Sequence, residues 1–119
     1  MFDKDDVKVN LEEMRVSEQL RRGEPLIVED ITAYLWPSPR TGLIHACALG
    51  CLLALRGYRD SVQVSEAAEA KLGKRATDTQ EEIAVILGLP QELIRRIGDM
   101  HCYKIPIAEI ANILEKEGL

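Results

Sequence analysis

His45, Cys47, Cys51, His101 and Cys102 are the residues whose types could hold a metal or supply a nucleophile in this 119-residue chain. Structural zinc is most recognisable as Cys-x-x-Cys pairs, and the chain has none. If residues 43–56 form one regular helix, a step of about 100° per residue puts Cys47 and Cys51 on one face and His45 roughly opposite. His101 and Cys102 are neighbours in sequence and diverge in the same way. A nucleophilic Cys–His pair would need the fold to bring His101 onto Cys47 or Cys51. A thiol inside an apolar helix is poorly ionised. The expectation is therefore three structural cysteines packed as small hydrophobes, with no metal, no cofactor and no enzymatic activity. No phosphate-binding glycine loop and no Gly-x-Ser-x-Gly elbow occurs. The acid pairs Asp5–Asp6, Glu12–Glu13 and Glu81–Glu82 read as solvated surface.

Thr79–Ile97, TQEEIAVILGLPQELIRRI, is the segment with the clearest architecture. Thr79 and Glu82 have capping-box spacing. Ile83, Ala84 and Leu87 share an inward face, and small Ala84 suits a close helix crossing. Gly88 supplies the positive φ of a turn. Leu89 fills the space beneath it, and Pro90 suits the first position of a second helix. Ile94 and Ile97 close the core. This set resembles the helix-turn-helix of bacterial and phage regulators. The resemblance implies that Gln91, Arg95 and Arg96 point outward, where Gln91 could pair with adenine and the arginines could hold phosphate or guanine. Glu92 lies beside them, and from Lys71 to Lys104 six bases meet five acids. That is a thin electrostatic footprint for gripping DNA.

Charge and length bound the rest. One domain, 1–119, is expected at this size. With a core this small, a homodimer is compatible with the chain. The net charge is −5, which argues against a main task of binding nucleic-acid phosphate. Residues 1–31 carry nine acids and five bases, so most of the negative charge sits there. The start, MFDKDDVKVN, is charged and lacks the apolar run of a secretory leader. Leu43–Leu55 is too short to span a bilayer. A cytoplasmic protein with free thiols and no membrane contact is expected.

The elements that must position these residues read as helices. Asn10 and Glu13 can cap a first helix that Gly23 ends. Ile27, Ile31, Tyr34 and Leu35 form a stripe over 26–35, closed by Trp36-Pro37. These make an acidic N-terminal helical part, 1–36. PSPRTG, 37–42, is a loop. A central helix at about 43–56 is apolar on nearly all sides and so buried. Val62 and Val64 alternate, which allows a short extended piece, and Ser65 can cap a helix to Leu72. Residues 71–78 form a polar hinge. Helices at 80–87, 90–102 and 106–117 make a C-terminal three-helix part, the last with Ile107, Ile110, Ala111 and Leu114 inward. The fold class expected is all-α: a compact bundle of six or seven short helices around the buried central one, with the helix-turn-helix-like pair near 80–102.

His45–Leu55, HACALGCLLAL, is similar to a Cys-Ala-Leu-Gly segment of small phage and prophage proteins. Those proteins often end in Ile-Ala-x-x-Leu-Glu, which Ile110–Glu115 matches loosely. They carry an Asn-Asp pair where this chain has Gly98-Asp99. The resemblance implies a compact helical fold of mobile-element origin. Two functions follow as expectations. The first is a non-enzymatic protein-binding module that inhibits or regulates a host machine. Its acidic residues Asp3, Asp5, Asp6, Glu12 and Glu13 would dock on a host or phage protein, including a basic nucleic-acid-binding surface. The second is a DNA-binding regulator using Gln91, Arg95 and Arg96.

Overall fold

The computed structural model describes residues 11–32 and 34–119, apart from the side chain of Glu12. Six α-helices lie among the described residues: α1 (Val16–Gly23), α2 (Ala48–Leu55), α3 (Ser61–Leu72), α4 (Thr79–Leu87), α5 (Gln91–Cys102) and α6 (Ile107–Lys116). Three short strands accompany them: β1 (Val28–Glu29), β2 (Leu35–Pro37) and β3 (Ile44–Ala46). They form one sheet in the order β1-β3-β2, with β1 parallel and β2 antiparallel to β3. The expectation of a purely all-α fold is thus corrected to a helical protein with a small sheet.

The correction falls between Leu26 and Cys47. Pro25 sits in a 3-10 turn, Glu24–Leu26, that ends the helical run. Asp30 then accepts hydrogen bonds from the Thr32 hydroxyl and backbone N–H, at 2.6 and 2.9 Å. Such local side-chain bonding competes with a helix, and the stripe expected over 26–35 is interrupted there. The 37–42 loop is the hairpin turn joining β2 to β3. Ser38 N–H donates to the Leu43 carbonyl and Gly42 N–H to the Ser38 carbonyl, both at 2.8 Å. The central helix therefore begins at Ala48 rather than Leu43. Register pairs Val28 with His45 and His45 with Trp36, so these three form one row across the sheet. The next row, Glu29, Ala46 and Leu35, points to the opposite side. Ala46 and Leu35 are buried there.

The helix starts were legible but shifted. The Asn10 cap lies outside the described residues, and α1 begins at Val16. Asp60 caps α3 by accepting from Gln63 N–H at 2.9 Å, so residues 61–64 are helical and Ser65 is not a cap. The box on α4 is Asp78 with Glu81, one residue earlier than expected. Asp78 accepts from Glu81 N–H at 2.8 Å, and Glu81 accepts from Thr77 N–H at 2.6 Å. Glu82 instead accepts from the Ser65 hydroxyl at 2.8 Å, which ties α3 to α4. Pro90 is the residue before α5 rather than its first. Gly88 does turn the chain with φ +69°, and its N–H and that of Leu89 both reach the Ala84 carbonyl.

Helix α2 lies at the centre, with Ala48, Gly50, Cys51, Leu52, Leu53 and Ala54 buried. The other helices bury one face each: Leu20 of α1, Ile83, Ala84 and Leu87 of α4, Ile94 and Ile97 of α5, and Ile107, Ile110, Ala111 and Leu114 of α6. Helix α1 packs on α6, where Ser17 N–H donates to the Leu119 carbonyl at 3.1 Å and Arg21 meets Glu115 at 2.6 Å. Two glycines let backbone meet backbone around α2. A Cβ at Gly23 would lie 2.7 Å from the Cys51 carbonyl oxygen, and one at Gly50 would lie 1.8 Å from that of Tyr34. Neither neighbour is a flexible side-chain tip, so the packing cannot yield locally. Gly50→Ala is expected to cost at least about 4 kcal/mol, enough to unfold a marginal domain. Urea denaturation followed by circular dichroism checks it, and a variant within 1 kcal/mol (about the size of an ordinary mutation) contradicts the close packing.

Candidate functional site

Of the five Cys and His residues, Cys47, His101 and Cys102 line one cleft, while Cys51 is buried within α2 and His45 stands apart on the sheet. His45 lies on β3, not on a helix. Its ring meets Trp36 edge-on at a centroid distance of 5.3 Å, and its Nδ1 is 3.5 Å from the Asp30 carboxylate. Thr32, donating to Asp30 from its hydroxyl and backbone, holds that carboxyl below its usual range. Cys47 stands just before α2 and Cys51 within it. Burial pushes both thiols up, Cys51 to about 12. Cys102 is exposed at the end of α5, which corrects the expectation of three packed cysteines. Among the described residues, no group of three His, Cys, Asp or Glu side chains is arranged to hold a metal.

His101 has a different task from either chemical reading. It is 2% exposed. Its Nδ1 accepts the Ala48 N–H at 3.2 Å, and its Nε2 lies 2.7 Å from the Glu29 Oε2. Because Nδ1 accepts, the ring proton sits on Nε2 and is donated to the carboxylate. The same Glu29 oxygen accepts the Ile107 N–H at 3.0 Å. Neither α2 nor α6 has a side-chain cap of its own: Cys47 and Pro106 precede them. The first N–H of each helix would otherwise be unsatisfied. One His–Glu pair from α5 and β1 caps both. With both ring nitrogens engaged, His101 has none to offer Cys47 or Cys51.

The helix-turn-helix-like pair presents a mixed surface. Gln91, Glu92 and Arg95 are exposed on α5. Arg96 is engaged: its guanidinium forms two hydrogen bonds to the carboxylate of Glu117, one of 2.6 Å. That contact holds Glu117 below and Arg96 above their ordinary values. Of the three residues named for DNA, Gln91 and Arg95 stand open and Arg96 is tied to the end of α6. Of the acidic set, Asp3, Asp5 and Asp6 lie outside the described residues, as does the side chain of Glu12. Glu13 is exposed beside α1.

Sequence reasoning passed over the outer face of the sheet. Trp36 is 50% exposed and Val28 37%, on either side of His45 in one row. A groove of about 440 Å³ beside them is lined by Asp30, Thr32, Tyr34, Leu35, Trp36 and Ser61. The signal that could have found it was the Asp30-x-Thr32 turn followed by Trp36-Pro37, a strand-edge pattern. Compared with known protein families, curated proteins and solved structures, the chain matches none.

Two outcomes follow. His101→Ala leaves the Ala48 N–H orphaned, opens a cavity and removes the partner of Glu29; it should lower unfolding free energy by about 2–4 kcal/mol. Equilibrium denaturation measures this, and a loss below that range would remove the capping role. In thiol labelling of the native protein near neutral pH, Cys102 should react rapidly, while Cys51, buried and with its thiol pushed up by burial, reacts only on unfolding. Mass spectrometry of a partly labelled sample reads out the order.

Proposed function

We propose that the protein is a non-enzymatic protein-binding module whose contact surface is the outer face of its sheet. Trp36 carries this reading. A half-exposed tryptophan on a rigid strand is a typical binding anchor, since it offers a large contact area at low entropic cost. Val28 and His45 extend the surface along one row, and the groove beside Trp36 gives it relief. Asp30 puts a held negative charge at its edge. The partner that fits is a protein segment with an apolar side chain next to a basic one. The acidic N-terminal third adds to that preference, because charge complementarity speeds encounter. The Cys-Ala-Leu-Gly resemblance supports a mobile-element setting, with the protein acting as an inhibitor or regulator of a host machine.

Trp36 is the one tryptophan of the chain, so its emission reports on this surface directly. On adding the partner, the emission maximum should move to shorter wavelength. Trp36→Ala should leave the fold intact and weaken binding by at least about tenfold, as for an interface hot spot. If quantitative pull-downs with wild type and Trp36→Ala retain the same proteins in the same amounts, this surface is not the interface.

DNA binding by α4 and α5 is the second reading. It is favoured by exposed Gln91 and Arg95 after the Gly88 turn and opposed by Glu92 and by the Arg96–Glu117 pair. Low-salt fluorescence anisotropy with duplex DNA separates the two: salt-sensitive binding that weakens on Arg95→Ala supports it.

A further inference from the structure

A second concave surface shares Tyr34 with the groove beside Trp36. Residues of α4 and α5 line it together with Ile31 and Tyr34. The cleft is about 360 Å³ and mainly apolar. That is the lower end of the size range for small-molecule sites. Its floor is made by Ile83 and Ile94, both fully or almost fully buried, with Leu49 of α2. Its rim carries two exposed charges of opposite sign, Arg95 and Asp99.

The chemistry of this rim is specific. Arg95 and Asp99 are one turn apart on α5 and so share a face. Neither has an ion-pair or hydrogen-bond partner among the described residues. The adjacent Arg96, by contrast, is locked to Glu117. Tyr34 lines the same cleft, and its hydroxyl is buried with no hydrogen-bond partner. Gly98 stands between the two charges in the interior of α5, where glycine is a poor helix former. A Cβ there would come 3.3 Å from Leu49 Cδ1, at the cleft floor. The missing side chain keeps the floor open.

We propose that this cleft binds a free α-amino acid with an apolar or aromatic side chain. The carboxylate meets the Arg95 guanidinium, a charge-assisted pairing that can be bidentate. The ammonium meets the Asp99 carboxylate. The side chain occupies the slot over Gly98 between Leu49, Ile83 and Ile94. A phosphate or other polyanion does not fit, because Asp99 stands one turn from Arg95. A fatty acid leaves Asp99 unmatched. The cleft shares Tyr34 with the groove beside Trp36, but Arg95, Gly98 and Asp99 line the cleft alone, so variants there test it apart from Trp36→Ala.

The test is a titration of the full chain with L-phenylalanine and L-leucine, alongside 3-phenylpropionate and phenethylamine, each of which keeps only one of the two charges. Calorimetry gives affinity, and thermal melting reports stabilisation. Phenylalanine should raise the melting temperature by several degrees at saturating concentration. It should bind at least about tenfold more tightly than either single-charge analogue. Arg95→Ala and Asp99→Asn, both at exposed positions, should each weaken phenylalanine binding about tenfold. Gly98→Leu should abolish it by filling the slot. No binding of either amino acid overturns the proposal. So does 3-phenylpropionate binding as tightly as phenylalanine, or phenylalanine affinity unchanged in Arg95→Ala. Should Gly98→Leu fail to fold, the two surface variants decide the question alone.

Discussion

One hydrogen-bonded pair closes the core of this protein. His101 and Glu29 together satisfy the first N–H of α2 and the first N–H of α6. Neither helix could begin in a buried place without them, since orphaned donors there are expensive. The pair also fixes the sheet against the bundle. Glu29 belongs to β1, and the row that contains it is the row that faces inward. A carboxylate at the start of α6 is further favoured by the helix dipole. The small sheet is therefore part of how two helices start.

Around that junction the fold is held by close backbone approach more than by bulk. The core is aliphatic, with five aromatic residues in the whole chain. Gly23 and Gly50 bring α1 and the chain entering β2 directly onto α2. Gln19, buried in α1, uses its amide nitrogen on the carbonyls of Leu11 and Met14 and its oxygen on Arg56. Such polar contacts fix a unique arrangement where hydrophobic burial alone would tolerate several.

The C-terminal helices were legible because several local rules agreed there. Capping residue, glycine turn and apolar spacing all pointed to α4, α5 and α6, and Gly88 and the inward isoleucines stand as read. The region from Leu26 to Cys47 was not legible by the same means. Ile27, Ile31, Tyr34 and Leu35 mimic a helical stripe, yet short apolar runs do not separate helix from strand. What decides is the Asp30–Thr32 turn and a hairpin whose partner lies beyond the loop. The cap of α4 slipped by one residue because Asp78 and Thr79 are both good caps. His101 was legible as a notable residue but not as a cap, since its partners lie 53 and 72 residues away. The open row of Val28, His45 and Trp36 depends on strand register, which no single-sequence pattern specifies. Arg96 read as an outward cation and instead belongs to Glu117, 21 residues on.

The packing of α1 on α6 also bears on the order in which the chain can fold. Arg21 finds Asn112 and Glu115 across separations of 91 and 94 residues. Contacts so remote in sequence carry a loop-closure penalty before they return any stabilisation. The local pairs α3–α4 and α4–α5 bear much less of it and can assemble early. During synthesis, α1 emerges long before its docking surface exists, with its apolar face uncovered. It must wait, exposed to proteases and chaperones, until α6 arrives to shelter Val16 and Leu20.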